Sequence, residues 1–328
     1  MRRIGILTLV IVLGLGLGLV AADTITMTIG HGQPANSARH MALLFFEQIV
    51  ETASNGQIDV EVFPAEQLGN EAELMESVQL GVIQATEGGK FEDATPTYLL
   101  YTLPFLFDTP EQALEVMRSD IGDAVNAEAE ANGYYVPACG IAGGFRQWTN
   151  NVRPIETTED MVGLKMRTPG IDSIMRTFDA IGANRQSIPY GDVYLALETG
   201  VCDGQENPYS NIQVMSFYLV QKYLTVSDYQ IHPNPFIINL DWYNGLSDEL
   251  KNIVTEAAKL AMIYNDTVWL GMEMDAHDLI VQYCEENVLS DEVRAEFAEL
   301  AQPVWDYYID AGTFSEGLLD RVLNFIDG

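Results

Sequence analysis

Residues 24–86 read TITMTIGHGQPANSARHMALLFFEQIVETASNGQIDVEVFPAEQLGNEAELMESVQLGVIQAT, and their periodicities decide the fold. Residues 24–29 alternate polar and apolar side chains, which predicts a strand. Residues 37–52 carry Met41, Leu44, Phe45 and Ile49 at helical spacing behind a Pro34-Ala35-Asn36 opening. Residues 57–63 alternate again, with Ile58, Val60 and Val62 on one face, and Pro64 ends the run. Residues 70–80 read as a helix stopped at Gly81, and residues 82–86 as a third strand. This β-α-β-α-β rhythm predicts a mainly parallel sheet flanked by helices. Ligands bind such sheets outside the carboxyl ends of the strands, which places Gly30-His31-Gly32, Glu71 and the loop Glu87-Gly88-Gly89-Lys90-Phe91 at one mouth.

A second α/β rhythm starts near Tyr134. Residues 164–167 predict a strand, 172–181 and 190–199 predict helices, and 201–206 predict a strand closing on Asn207-Pro208. Residues 247–284 contain no proline and carry Leu250, Ile253, Val254, Ala257, Ala258, Leu260 and Ala261 as a helical stripe behind Ser247 as N-cap. As one helix this stretch would run about 57 Å at about 1.5 Å per residue. That exceeds the width of a small domain, so it reads as a helix crossing two domains, with a break at Gly271 as the alternative.

The 328 residues and 48% apolar content suit two packed domains and exclude a disordered chain. With 48 acidic against 16 basic residues and a formal charge of -32, nucleic acid and anionic lipid are excluded as partners, and a small anion would need a local positive site. Arg2 and Arg3 precede the apolar run of residues 4–20, and Val20-Ala21-Ala22 follows as a small-residue cleavage pattern. Residues 1–22 therefore read as a secretory signal peptide cleaved after about Ala22, with a membrane anchor as the alternative. Removing the two signal-peptide arginines leaves 16 − 2 = 14 basic residues and a mature charge of -34. Cys139, Cys202 and Cys284 are odd in number and widely spaced, which predicts buried thiols with one bridge as the alternative. No Cys/His spacing suggests a metal, and no motif calls for a cofactor.

Positive charge concentrates in one place. Arg146, Arg153, Lys165, Arg167, Arg176 and Arg185 fall within forty residues, beside Glu156, Glu159, Asp160, Asp172 and Asp179. Arginine suits carboxylate recognition because its planar fork donates two parallel hydrogen bonds and stays charged. Arg146 lies in Gly143-Gly144-Phe145-Arg146-Gln147-Trp148, and Arg167 ends an apolar strand before Thr168-Pro169-Gly170; both suit a cleft between domains. Arg153, Arg176 and Arg185 read as solvated or locally paired. His31 suits a pocket role at the first mouth, whereas His40 and His277 read as solvated and Trp148 as packing or site border.

Four motifs occur in one order along the chain: Phe63-Pro64-x-x-Gln67-Leu68-Gly69, Leu103-Pro104-Phe105-Leu106-Phe107, Gly163-Leu164-Lys165-Met166-Arg167-Thr168-Pro169, and Tyr194-x-Ala196-Leu197 through Asp203-Gly204-Gln205-Glu206-Asn207-Pro208. Together they resemble the extracytoplasmic solute-binding subunits of TRAP transporters (tripartite ATP-independent periplasmic transporters, DctP-like), over nearly the whole mature chain. The resemblance implies an α/β, two-lobed periplasmic-binding-protein-like fold with a hinge and a long domain-crossing helix. Lobe I would comprise residues 23–144 plus about 233–272, and lobe II residues 145–232 plus about 273–328. It also implies that Arg167 grips a ligand carboxylate, that Arg146 and Asn207 complete the clamp, and that Tyr190 stacks on the ligand. Glu71, Glu87, Lys90 and Phe91 would face the ligand from lobe I. Ectoine-type members carry Trp where Met166 stands, which disfavours that ligand.

The expected role is a periplasmic, monomeric, non-enzymatic subunit that hands an organic acid to small and large membrane subunits. A hydroxylated acid such as a uronate or aldonate is favoured, with a C4-dicarboxylate or 2-oxoacid as the alternative. An exported enzyme acting on acidic sugars is the alternative class, and a sensor subunit shares the same fold. With so negative a chain, screened repulsion should match or exceed screened attraction at a positive mouth. Stopped-flow association rates with an acid ligand should hold or rise from low salt to about 0.5 M. A steep fall would mean that a local positive funnel dominates.

Overall fold

The computed structural model describes residues 24–314 and 317–326. The expected signal peptide at residues 1–22 lies outside them. Among the described residues no helix is long and apolar enough to cross a membrane.

Two six-stranded sheets organise the chain. The first is ordered β2 (Ile58–Phe63), β1 (Ile25–Gly30), β3 (Ala85–Glu87), β11 (Pro233–Asn239) and β4 (Tyr134–Tyr135), with β5 (Cys139–Ile141) also paired to β11. The second is ordered β12 (Glu285–Val288), β10 (Tyr223–Val226), β6 (Gln147–Asn150), β9 (Gly204–Asn207), β7 (Met166–Thr168) and β8 (Gln186–Ser187).

The first sheet corrects the expectation of a mainly parallel sheet. β1 pairs parallel with β2 and β3, but β11 pairs antiparallel with β3, β4 and β5. β11 is a strand returned from the second half of the chain, and it is buried along its whole length. The third strand is also shorter than expected. The helix Glu71–Gln79 is closed by a C-cap at Leu80 and by Gly81 at φ +71°, so Val82 and Ile83 form a turn and pairing begins at Ala85.

Two segments cross side by side between the sheets. Ala142 N donates to His232 O at 2.9 Å and Arg146 N donates to Gln230 O at 3.0 Å. The third crossing is one unbroken helix, Asp248–Ile280, of 33 residues. At about 1.5 Å per residue it is about 50 Å long, and Gly271 lies inside it without a break. Ser247 caps it by accepting from Leu250 N at 3.3 Å. Its first half buries Leu250, Val254, Ala257, Ala258 and Ala261 against helix Ala38–Ala53 and the first sheet. Further along, two acids, Asp266 buried and Glu273 half-buried, fix it to the two sheets' connections. Asp266 Oδ1 accepts from Ile141 N at 3.3 Å and Trp269 Nε1 at 3.0 Å. Glu273 Oε1 accepts from Ser210 N at 3.0 Å, at the start of the helix that follows β9.

Gly204 sits at the centre of the second sheet, opposite Asn150 on one side and Met166 on the other. A Cβ there would run into the Thr149 carbonyl and lie 2.7 Å from Met166 Sδ and 2.8 Å from Asn150 Cβ. Backbone cannot yield as a side chain can, so Gly204→Ala should cost about 1–3 kcal/mol. Urea unfolding should show a lower midpoint with an unchanged slope. An unchanged midpoint would mean that the strands part without strain.

Candidate functional site

Between the two sheets lies a narrow cavity, walled by Gln33, Arg39, Glu71, Arg146, Arg167, Tyr190, Asn207 and His232 among others. Its mouth continues past Glu66, Lys90, Pro169 and Ile188. The first-sheet side supplies residues that follow β1 and open its neighbouring helices: Gln33, Arg39 in the first turn of Ala38–Ala53, and Glu71 at the start of Glu71–Gln79. The second-sheet side supplies the ends of β7 and β9, Arg167 and Asn207, and Tyr190 just after Pro189.

Arg146 is buried and its fork is occupied. Nη2 donates to Glu206 Oε1 at 2.7 Å, to the Glu206 carbonyl at 2.9 Å and to Asn207 Oδ1 at 3.1 Å, while Nε pairs with Glu206 Oε2. Nη1 lies 3.4 Å from His232 Nδ1. Burial alone would lower the pKa of this guanidinium, but the Glu206 carboxylate more than offsets that and raises it. Glu206 also accepts from the Tyr229 hydroxyl at 2.7 Å. The same network orients Asn207: its Nδ2 donates to Gln205 Oε1 at 2.6 Å, and Gln205 Nε2 donates to Thr149 Oγ1 at 2.9 Å.

Arg167 is equally buried but differently engaged. Nε and Nη2 donate to the Ile188 carbonyl at 2.9 and 2.8 Å, and Nη1 makes no hydrogen bond among the described residues. No carboxylate contacts it directly. Burial lowers its pKa, with Glu206 opposing and Arg146 reinforcing the shift; an arginine nevertheless stays protonated. The Tyr190 ring lies 5.9 Å from its Cζ, and the buried Tyr190 hydroxyl, beside Gln33, makes no well-formed hydrogen bond among the described residues. Burial pushes that phenol up.

The expected site residues therefore separate into groups. Arg146, Arg167, Asn207, Tyr190 and Glu71 share the cavity, and Lys90 stands at its mouth, its Nζ 2.9 Å from Asp93 Oδ1. Glu87, His31 and Phe91 do not reach the cavity wall. Glu87 is fully buried behind it, accepting from Asn234 Nδ2; burial raises its carboxyl to about 7 against the pull of Arg39. His31 Nε2 lies 3.1 Å from His40 Nδ1, and burial, aided by Arg39, lowers its pKa to about 2, so the ring is neutral. Phe91 turns inward because the short helical turn Phe91–Asp93 points it at Tyr98 and His232, its ring centroid 4.9 Å from the His232 ring. His40 corrects the expectation of a solvated side chain, since it is buried against His31. Trp148 is fully buried among Phe178, Tyr229 and Phe297, so it packs and does not border the site. Arg176 and Arg185 pair with Asp172 and Asp179, as expected of local ion pairs, and the three cysteines are free and buried.

Arg39 and Gln33 escaped the sequence reading. Arg39 sits in an amphipathic helix where a lone cation reads as solvent-facing. The available signal was its position, one turn after the loop that follows the first strand. The lobes also touch across the cleft: Thr102 Oγ1 lies 2.5 Å from Ser173 Oγ.

Residues 29–311 match the family model described as "DctP: Bacterial extracellular solute-binding protein, family 7". The chain belongs to this family, whose members include the solute-binding proteins of TRAP transporters. It is 31% identical over 244 residues to the solute-binding protein RD1_1052 of Roseobacter denitrificans, covering 74% of this chain and 75% of that one. It is 29% identical to the C4-dicarboxylate-binding periplasmic protein DctP of Rhodobacter capsulatus, covering 87% and 86% of the two chains. The sugar acid binding protein DctPAm of Advenella mimigardefordensis, solved in complex with galactonate, superposes with a TM-score of 0.87 at 27% identity, covering 93% of this chain and 98% of that one.

Breaking a buried pair strands the surviving charge. Glu206→Gln should destabilise the protein by about 3–5 kcal/mol, because Arg146 would lose its anion inside the fold. Chemical unfolding reads this directly. A loss below about 1 kcal/mol would mean that the pair behaves as a solvated one.

Proposed function

We propose that the protein is the periplasmic solute-binding subunit of a TRAP transporter, holding a carboxylate-bearing organic acid between its lobes. Arg167 carries the reading. It is a buried guanidinium on the cavity wall whose Nη1 makes no hydrogen bond and which meets no acid among the described residues. A buried cation without an anion is costly, and a ligand carboxylate supplies one. Tyr190 would cover the ligand, Glu71 and Lys90 would meet it from the other lobe, and Asn207 would donate from its oriented amide. Arg146 would act chiefly through Asn207, since Glu206 holds its fork.

In this reading the lobes comprise residues 23–144 with about 233–272 and residues 145–232 with about 273–328. The exported chain is cleaved after about Ala22, acts as a monomer without catalysis or cofactor, and delivers its ligand to small and large membrane subunits. Family membership supports the transport role and the periplasmic setting. Its relatives include a C4-dicarboxylate binder and a sugar-acid binder, which supports acids as ligands and leaves their class to the chemistry of this cleft.

Arg167→Ala should weaken acid binding by about 2–5 kcal/mol, about thirtyfold or more, by calorimetry. Arg167→Lys should also bind poorly, because an ammonium lacks the planar fork. Near-native affinity of both variants would reject the assignment.

A further inference from the structure

A second cation faces the cavity from the opposite lobe. The Arg39 side chain is 6% exposed. Its Nη2 donates to Asn234 Oδ1 at 2.9 Å, while its buried Nη1 has no hydrogen-bond partner. The place is built for it: Gly88 has φ +71°, and a Cβ there would collide with Arg39 Nη2 and Asn234 Oδ1. We infer that Arg39 sets ligand specificity, donating from Nη1 to a neutral hydroxyl or keto oxygen at the end of the ligand remote from Arg167, so that the site takes hydroxylated monocarboxylates in preference to dicarboxylates. This inference rests on the proposed role of Arg167.

The charges facing the cavity support a monoanion. Arg146 is matched by Glu206. Arg39 has two carboxylates beside it, Glu71 with Oε1 3.7 Å from Nη1 and Glu87 with Oε1 3.9 Å from Nε, both beyond hydrogen-bonding distance. Arg167 alone of the three has no acid in contact. A second carboxylate seated at Arg39 would lie against Glu71, and like charges in a dry cleft repel strongly. A neutral oxygen accepts the same hydrogen bond without that repulsion.

The hydrogen-bonding groups point the same way. Buried Gln33 Oε1 has no donor, and the Glu71 carboxylate accepts only. The Tyr190 hydroxyl sits beside Gln33 and makes no well-formed hydrogen bond among the described residues. Ionised succinate offers acceptors at both ends and no donor, so it would leave Gln33 Oε1 unsatisfied. Ligand hydroxyls both donate and accept, which suits Gln33, Glu71, Tyr190 and Arg39 together.

Calorimetry with galactonate, glucuronate and succinate tests this on the wild type, Arg39→Met and Glu71→Gln. The wild type should prefer a sugar acid to succinate by about tenfold or more. Arg39→Met should lose about tenfold or more for the sugar acids and less for succinate, narrowing the ratio. Glu71→Gln, at a partly exposed position, removes one repelling acid without leaving a cation buried and unmatched. It should raise succinate affinity relative to the sugar acids, and it decides the matter if Arg39→Met does not fold. A wild type that prefers succinate, or variants that leave the ratio unchanged while acids still bind, would overturn the inference and leave the role of Arg167 standing. A wild type that binds none of the three acids would overturn both.

Discussion

A guanidinium taken out of water needs an anion, and the Arg146–Glu206 pair meets that need at the point where the chain crosses between its lobes. Desolvation costs several kcal/mol per ion, so the pair persists only with its remaining donors and acceptors satisfied. Here they are: the Glu206 carboxylate takes the Tyr229 hydroxyl, and the Arg146 fork also reaches the Glu206 carbonyl and Asn207. The pair joins a crossing segment to the end of β9 and aims Asn207 into the cleft. It also spends the charge of Arg146 internally. Arg167 is left open to the cavity, braced on a backbone carbonyl that carries no net charge.

The long helix gives this arrangement its frame. Asp266 and Glu273 sit seven residues apart, about two turns, so they share one face. Asp266 holds the backbone of Ile141 and Glu273 holds that of Ser210. One rigid element thus positions both walls of the cleft, and the paired crossing segments beside it hold the walls in register. Ligand would then act by adding contacts from both walls at once, which favours the closed arrangement only to the extent that it binds that arrangement better.

Much of this was legible because it is periodic. Strands β1 and β2, the helix between them and the proline-free helix fall where side-chain spacing put them, within a residue or a few at their ends. The mixed sheet was not legible, because β11 is inserted by chain that has passed through the other lobe, and local periodicity carries no record of such a return. The site divided along the same line. Arg167 was visible at a strand end before a turn. The pairing of Arg146 with Glu206 joins residues sixty positions apart, so an arginine in a glycine-rich segment looked free to take a ligand. Arg39 and His40 lie on consecutive positions of an amphipathic helix, where only their place just after the loop that follows the first strand marks them as turned toward the cleft and His31. Phe91 looked like a pocket ring because it sits in the mouth loop, but apolar area drove it into the core.

The most direct test is a crystal structure of the protein saturated with a sugar acid. The ligand carboxylate should lie within about 3 Å of Arg167 Nη1, with Arg146 still forked onto Glu206. A carboxylate seated on Arg146 with Glu206 displaced would contradict the account at its centre.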